Sequence, residues 1–297
     1  MCVGELLWDA LPAGLFLGGA PFNVASHLHA LGNEGAFVSR VGDDVLGDEA
    51  VRRLRARGLS ADFVQKDDAL PTGFVRVDLT TTDDPDYDIV APAAWDAITL
   101  PDALQQRTRD ADALVFGSLA QRDDPSRRTI QRLAAAGACN VFDVNLRPPY
   151  VERAVVERSL ALADVVKLNG DELAQLGTWF GLSNAPETAM ADLVDTFDCH
   201  TVCVTWGGEG ASLWHEGVRT HHPGHPVDVV DTVGAGDAFL SAFLSGLLDG
   251  RDGASLLDLA NRLGAYVASH DGAFPPYEVD TLDDLRGLAP EAPPEAP

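Results

Sequence analysis

Six short apolar runs, rich in β-branched residues, recur along this chain at 2–7, 36–40, 113–117, 140–144, 165–168 and 201–205, with helical patterns between them. Runs this short and apolar are what strands buried on both faces look like. Helices are expected at 21–31, 46–57, 126–136, 238–248 and 254–269. The first sets Val24, Leu28 and Leu31 on one stripe, with Pro21 in its first turn and Gly32 just past its end. Strand–helix alternation predicts an α/β fold, a three-layer sandwich with a mostly parallel central sheet and helices on both faces. At 297 residues the chain suits one such domain, here 1–290, with an elaboration.

The elaboration falls at 72–90, where the alternation breaks. Val75, Val77 and Leu79 alternate with Phe74, Arg76, Asp78 and Thr80. Asp83-Asp84-Pro85-Asp86 is a turn signal, and Tyr87-Asp88-Ile89 resumes the strand. Leu15 to Leu17 supplies another strand. The main core has no place for these strands, so they predict a small β-sheet lid formed by about 10–18 and 71–95. Its apolar face needs a cover, either substrate or the lid of a second copy, which predicts a homodimer. The Pro-, Ala- and Glu-rich end, 291–297, is expected to be disordered.

Charge excludes some partners. Lys+Arg is 21 and Asp+Glu 46, a net of −25, which repels nucleic acid and anionic membranes. Lys66 and Lys167 are the only lysines, and so acidic a composition resembles the surface of salt-adapted proteins. No apolar run reaches a membrane-spanning length, and no basic stretch followed by an apolar one opens the chain, so a cytoplasmic protein is expected. Cys2, Cys139, Cys199 and Cys203 are scattered and read as core residues, not a disulfide framework.

The most informative stretch is Val229-Val230-Asp231-Thr232-Val233-Gly234-Ala235-Gly236-Asp237-Ala238-Phe239. A β-branched pair leads into a turn of small residues, and a helix follows at once. Small residues let backbone N–H groups approach a ligand, and a helix N-terminus adds aligned donors and partial positive charge. Together they make an anion site with Asp237 projecting from its first turn. Phosphoryl transfer needs such donors and a base for the attacking hydroxyl. By spacing alone Asp237 is either that base or a helix-start carboxylate stabilised by the dipole. The chain has no G-x-x-x-x-G-K-[ST], and no G-x-G-x-x-G follows its first strand. Those gaps weigh against a P-loop enzyme and a dinucleotide-binding dehydrogenase.

Asp231-Thr232-x-Gly234-Ala235-Gly236-Asp237 resembles the C-terminal signature of the ribokinase-like (PfkB) carbohydrate kinases. Gly18-Gly19-Ala20-Pro21-x-Asn23-Val24-Ala25, followed by Gly42-Asp43-Asp44-x-x-Gly47, resembles their N-terminal signature. The resemblance spans nearly the whole chain. It implies an ATP- and Mg2+-dependent sugar kinase with Asp237 as catalytic base and Gly234, Ala235 and Gly236 around the transferred phosphate. It implies that Asp9, Gly18, Gly19 and Asn23 bind the sugar, and that Arg147, in Asp143-x-Asn145-x-Arg147, lies beside the phosphate path. Asn169, Thr205, Gly207, Gly210, Thr232 and Asn261 would bind nucleotide, and Glu172 would place Mg2+ through water. Asp231 and Gly272 would close a K+ site. Asn169 and Glu172 also suit a capping box, and both roles can coexist.

Within that resemblance, Gly4-Glu5-x-x-Trp8-Asp9, Ala20 after the Gly-Gly pair, and Ala93-Ala94-Trp95-Asp96 are closer to the fructokinase-like branch. Fructose, phosphorylated at a primary hydroxyl, is therefore the expected substrate. The alternatives are 2-keto-3-deoxygluconate, ribose and a nucleoside. His215, His221, His222 and His225 lie in a Gly- and Pro-broken stretch without an evident carboxylate partner, and they are not expected to bind metal.

Overall fold

The computed structural model describes residues 1–11, 14–78 and 86–277, and the structural statements that follow concern these. The strands in chain order are β1 (Cys2–Val3), β2 (Leu7–Leu11), β3 (Gly14–Gly18), β4 (Phe37–Gly42), β5 (Val64–Asp67), β6 (Gly73–Asp78), β7 (Asp86–Ile89), β8 (Ala113–Gly117), β9 (Cys139–Asp143), β10 (Val165–Asn169), β11 (Thr201–Thr205), β12 (Ala211–His215) and β13 (Val218–His222). The helices are α1 (Ala20–Ala30), α2 (Val45–Ala56), α3 (Asp102–Arg109), α4 (Asp124–Ala134), α5 (Arg153–Leu160), α6 (Gly170–Phe180), α7 (Pro186–Phe197), α8 (Ala235–Leu248) and α9 (Gly253–Ala268).

Nine strands form the central sheet in the order β13-β12-β11-β10-β9-β8-β1-β4-β5. All neighbours are parallel except the terminal hairpin, where β11, β12 and β13 pair antiparallel. Strand residues alternate between two cores, as the pleat requires. Val3, Leu114, Phe116, Phe142, Val166, Leu168, Val202 and Val204 pack with Leu104, Ile130, Leu133, Leu160, Leu176 and Leu193 of α3 to α7. Cys2, Val115, Val141, Val165, Cys203 and Leu213 pack with Phe22, Leu54, Phe243, Leu257 and Leu263 of α1, α2, α8 and α9. The result is the three-layer sandwich that the alternation predicts. Cys2, Cys199 and Cys203 are buried and unpaired, in keeping with their reading as core residues.

The first apolar run is not one strand. Cys2–Val3 stays in the central sheet and Leu7–Leu11 crosses to a second sheet, ordered β3-β2-β6-β7. The break comes at Gly4, where a Cβ would lie 2.6 Å from Pro21 Cγ. The second sheet pairs β2 with β6 in parallel and places β3 and β7 at its edges. Leu15 and Phe16 on β3 are 44% and 42% exposed. The turn expected at 83–86 falls mostly outside the described residues, and the end of the chain at 291–297 lies wholly outside them. The apolar pair Val229-Val230 forms no strand and is exposed.

One buried arginine ties the small sheet to the body. Arg122, just before α4, makes two 2.8 Å bonds to Asp96, from Nε to Oδ1 and from Nη2 to Oδ2. Its Nη2 also donates to the Val90 carbonyl at 3.0 Å, at the end of β7. Its guanidinium lies over the Trp95 and Tyr150 rings, and the Tyr150 hydroxyl donates to the Ile89 carbonyl at 2.9 Å. The planar fork of arginine matches this carboxylate in a way that lysine cannot.

Candidate active site

Strands β1, β8, β9, β10 and β11 run parallel, so their carboxyl ends open on one crevice, the usual ligand side of an open α/β sheet. Helix α8 points its N-terminus there. It starts at Ala235, one turn earlier than the sequence suggests, because Gly234 takes a left-handed φ of 76° and caps it. A Cβ at Gly234 would overlap Ala273, so both backbone and space call for glycine. Residues Ala238 to Gly246 are all buried, held between α1 and α9.

Asp237 stands in the first turn of α8, and its Oδ2 accepts a 2.8 Å hydrogen bond from Asn23 Nδ2 on α1. Burial raises its pKa to about 6, and the carboxylate of Asp143 adds to the effect. The Asn23 bond, Lys167 and Arg147 pull the other way. A carboxylate so placed is ionised near neutral pH yet basic enough to accept a proton. Asn23, expected from the resemblance to bind sugar, thus also holds the Asp237 carboxylate. A hydrogen bond to a charged group of this kind contributes about 1.5–3 kcal/mol.

Asp9 lies on β2 of the small sheet, opposite Phe16. A Cβ at Gly18 would overlap its Oδ2, and one at Gly19 would overlap the Glu5 carbonyl. The Gly-Gly pair therefore lets the chain pass between two acidic residues. Burial raises Asp9 to about 6 against the pull of Arg147, whose own side chain is exposed at the crevice rim. Glu5 is 4% exposed. Its Oε1 accepts the Ala20 amide at 3.2 Å, at the start of α1, and its Oε2 has no partner. Burial raises it to about 7.

That elevation sets an expected stability profile. The neutral form of Glu5 is favoured in the fold, so its contribution is whole below the unfolded value of 4.5 and is lost as pH rises through about 7. Ionisation then costs on the order of 3 kcal/mol. Glu5→Gln cannot ionise. Its melting temperature relative to wild type should climb by several degrees from pH 5 to pH 8. A gap that stays constant across that range would show that Glu5 does not titrate this way.

One buried group was not singled out by sequence reasoning. Lys167, on β10, is 6% exposed, and its Nζ lies 3.0 Å from Asp143 Oδ1 at the end of β9. Burial works against its charge, but Asp143, Glu172 and Asp237 outweigh it and raise its pKa. Asn145 follows with a left-handed φ of 38°, a strained backbone of the sort that clusters at functional sites.

Asn169 and Glu172 form the capping box that their spacing suggests. Asn169 Oδ1 accepts the Glu172 amide at 2.9 Å, and Glu172 Oε2 accepts the Asn169 amide at 2.8 Å. Glu172 Oε1 accepts a third amide, from Leu146, at 2.8 Å. With both oxygens engaged, this carboxylate fits ordering a metal's water better than binding the ion directly. Asp231 and Gly272 are also in contact, the Gly272 amide donating to Asp231 Oδ2 at 3.1 Å.

Thr205, Gly207, Gly210, Thr232, Ala235, Gly236 and Asn261 line one cavity beside the α8 N-terminus. Phe239, Ala265, Ala268, Val227 and Val229 complete an apolar wall that suits a planar base. A Cβ at Gly210 would overlap the His222 carbonyl, so the chain turns there only as glycine. Asn261 is buried and donates to the Leu257 carbonyl at 2.7 Å.

The histidines acquire a carboxylate partner that the sequence does not reveal. His225 Nε2 and His222 Nε2 lie 3.1 and 3.5 Å from Asp258 Oδ1 on α9. The Gly224 amide donates to His222 Nδ1 at 3.0 Å, so the proton of a neutral His222 sits on Nε2. That nitrogen then turns its proton toward Asp258, 3.5 Å away.

Comparison with known proteins identifies the family. The sequence model described as pfkB family carbohydrate kinase matches residues 13–279. A fructokinase of Escherichia coli is 30% identical over 294 residues, covering 92% of this chain and 94% of the relative. An aminoimidazole riboside kinase of Salmonella typhimurium is 31% identical, covering 92% and 89%. A double-mutant fructokinase of Vibrio cholerae, solved with fructose, ADP and potassium ion bound, superposes with a TM-score of 0.80 at 26% identity, covering 96% of each chain.

Proposed function

The chain belongs to the pfkB family of carbohydrate kinases and transfers phosphate to a sugar, and on that premise we propose that ATP is its donor and a primary hydroxyl of fructose its acceptor. One observation carries the reading: the Asp237 carboxylate is held by Asn23 on the first turn of the helix whose N-terminus borders the cavity. Asp237 takes the hydroxyl proton as the sugar oxygen attacks the γ-phosphorus. The amides of 235–237 hold the phosphoryl oxygens and the helix dipole favours their charge. Asp9 and the Gly18-Gly19 turn grip the sugar, with Arg147 beside the phosphate path. Thr205, Gly207, Gly210, Thr232 and Asn261 surround the nucleotide.

Mg2+ would be placed through water by Glu172, with Asn169 fixing that side chain, and when bound it neutralises charge on the phosphates. The Vibrio cholerae structure holds a potassium ion, and Asp231 with Gly272 is the corner that would hold one here. The small sheet acts as the lid, keeping water from competing with the sugar.

The test is ADP release with Mg2+ and a panel of fructose, ribose, 2-keto-3-deoxygluconate, adenosine and aminoimidazole riboside, at low and high KCl. Fructose should give the highest kcat/KM, and KCl should raise the rate. The riboside belongs in the panel because a riboside kinase matches as closely as the fructokinase. Turnover confined to ribosides would overturn the assignment of fructose.

A further inference from the structure

Resting on that kinase reading, we propose that Lys167 is a second catalytic residue, its ammonium meeting the phosphoryl group as it passes from ATP to the sugar. The argument starts from Gly236. This glycine lies in the first turn of α8 and is absent from the residues with positive φ, so no backbone strain requires it. Glycine within a helix costs roughly 1 kcal/mol against alanine. The space around it supplies the reason. A Cβ at Gly236 would meet one group within 4 Å, the Lys167 Nζ at 3.3 Å. Gly236 also lines the nucleotide cavity, so one residue borders both the ammonium and that cavity.

The electrostatics point the same way. A cation beside a helix N-terminus faces partial positive charge and is unfavourable by itself. Here it is buried as well, and it is held in place by Asp143 at 3.0 Å, with Asp237 and Glu172 near. Two positive features converge on one point, an arrangement suited to a polyanion arriving between them. As transfer proceeds, the new O–P bond forms to the sugar oxygen and the bond to the β-phosphate oxygen breaks, its electrons leaving with ADP. Asp237 accepts the hydroxyl proton, while Lys167 keeps its own and stabilises the charge on the moving oxygens. Donors already in place at that point act without reorganisation.

The experiment compares Lys167→Met with wild type, using D-fructose as acceptor. The expected result is a fall in kcat of about a hundredfold, the scale for removing one preorganised donor. ADP affinity should hold, while affinity for ADP with aluminium fluoride, which mimics the phosphoryl in flight, should drop at least about tenfold. Losing one member of a buried ion pair can unfold a protein. Lys167→Met with Asp143→Asn removes both charges and should show the same selective loss. Near-normal kcat in a folded variant, or equal losses for ADP and its fluoride complex, overturns the proposal. Asp237→Asn separates the two layers: if it is inactive while Lys167→Met turns over normally, only the role of Lys167 falls.

Discussion

Asp237→Asn should lose at least about a hundredfold in kcat, the usual contribution of a positioned base. Asparagine keeps the size and accepts the Asn23 bond through its own oxygen, so the turn and helix should persist and nucleotide should still bind. A fall in kcat with little change in KM would locate the loss in the chemical step. The pH profile sharpens the test. The wild-type base works when ionised, and burial raises it to about 6, so activity should fall as pH drops through about 6. The groups that tune this limb are Asp143 on β9, Arg147 in the loop after β9, Lys167 on β10 and Asn23 on α1. The variant should lack that limb altogether. A variant with near-normal turnover would remove Asp237 from the mechanism.

Gly234→Val should be the next most damaging change, with a loss in kcat/KM of about a hundredfold, the scale of a lost oxyanion-type contact. Its φ of 76° is costly for a β-branched residue, and a side chain would overlap Ala273. The turn must then move, and with it the amides at the start of α8. Because Ala273 follows Gly272, which is bonded to Asp231, the shift should also weaken the response to KCl. Steady-state kinetics with and without KCl checks both effects. Full activity in this variant would mean that the turn does not hold the phosphoryl group.

The frame and the chemical turn were legible because their signals are local. Gly234 and Asp237 lie within one helical turn, and the apolar strands announce a sheet covered on both faces. What escaped was set by long-range approach. Asn23 reaches Asp237 across 214 positions, and the separation of 33 positions from His225 to Asp258 concealed their bond. Lys167 looked like one polar residue in an apolar strand, because the neighbours that give it meaning, Asp143 and Gly236, lie on other elements. The strand expected at 2–7 was misjudged because Gly4 interrupts it, and an apolar run does not show which of two sheets it will join.

The clamp of Arg122 and Tyr150 on Ile89 and Val90 has a mechanical consequence. All four strands of the small sheet have one end rooted near the body, at Leu7, Gly18, Gly73 and Ile89, and β7 is pinned there. A rotation about a line through those roots would turn the sheet like a lever about its fulcrum. Asp9 lies two residues from Leu7, roughly 7 Å of strand from the pivot. The outer ends of the strands lie further out and sweep the longer arc. Any such rotation moves the Asp9 carboxylate little and the rim most.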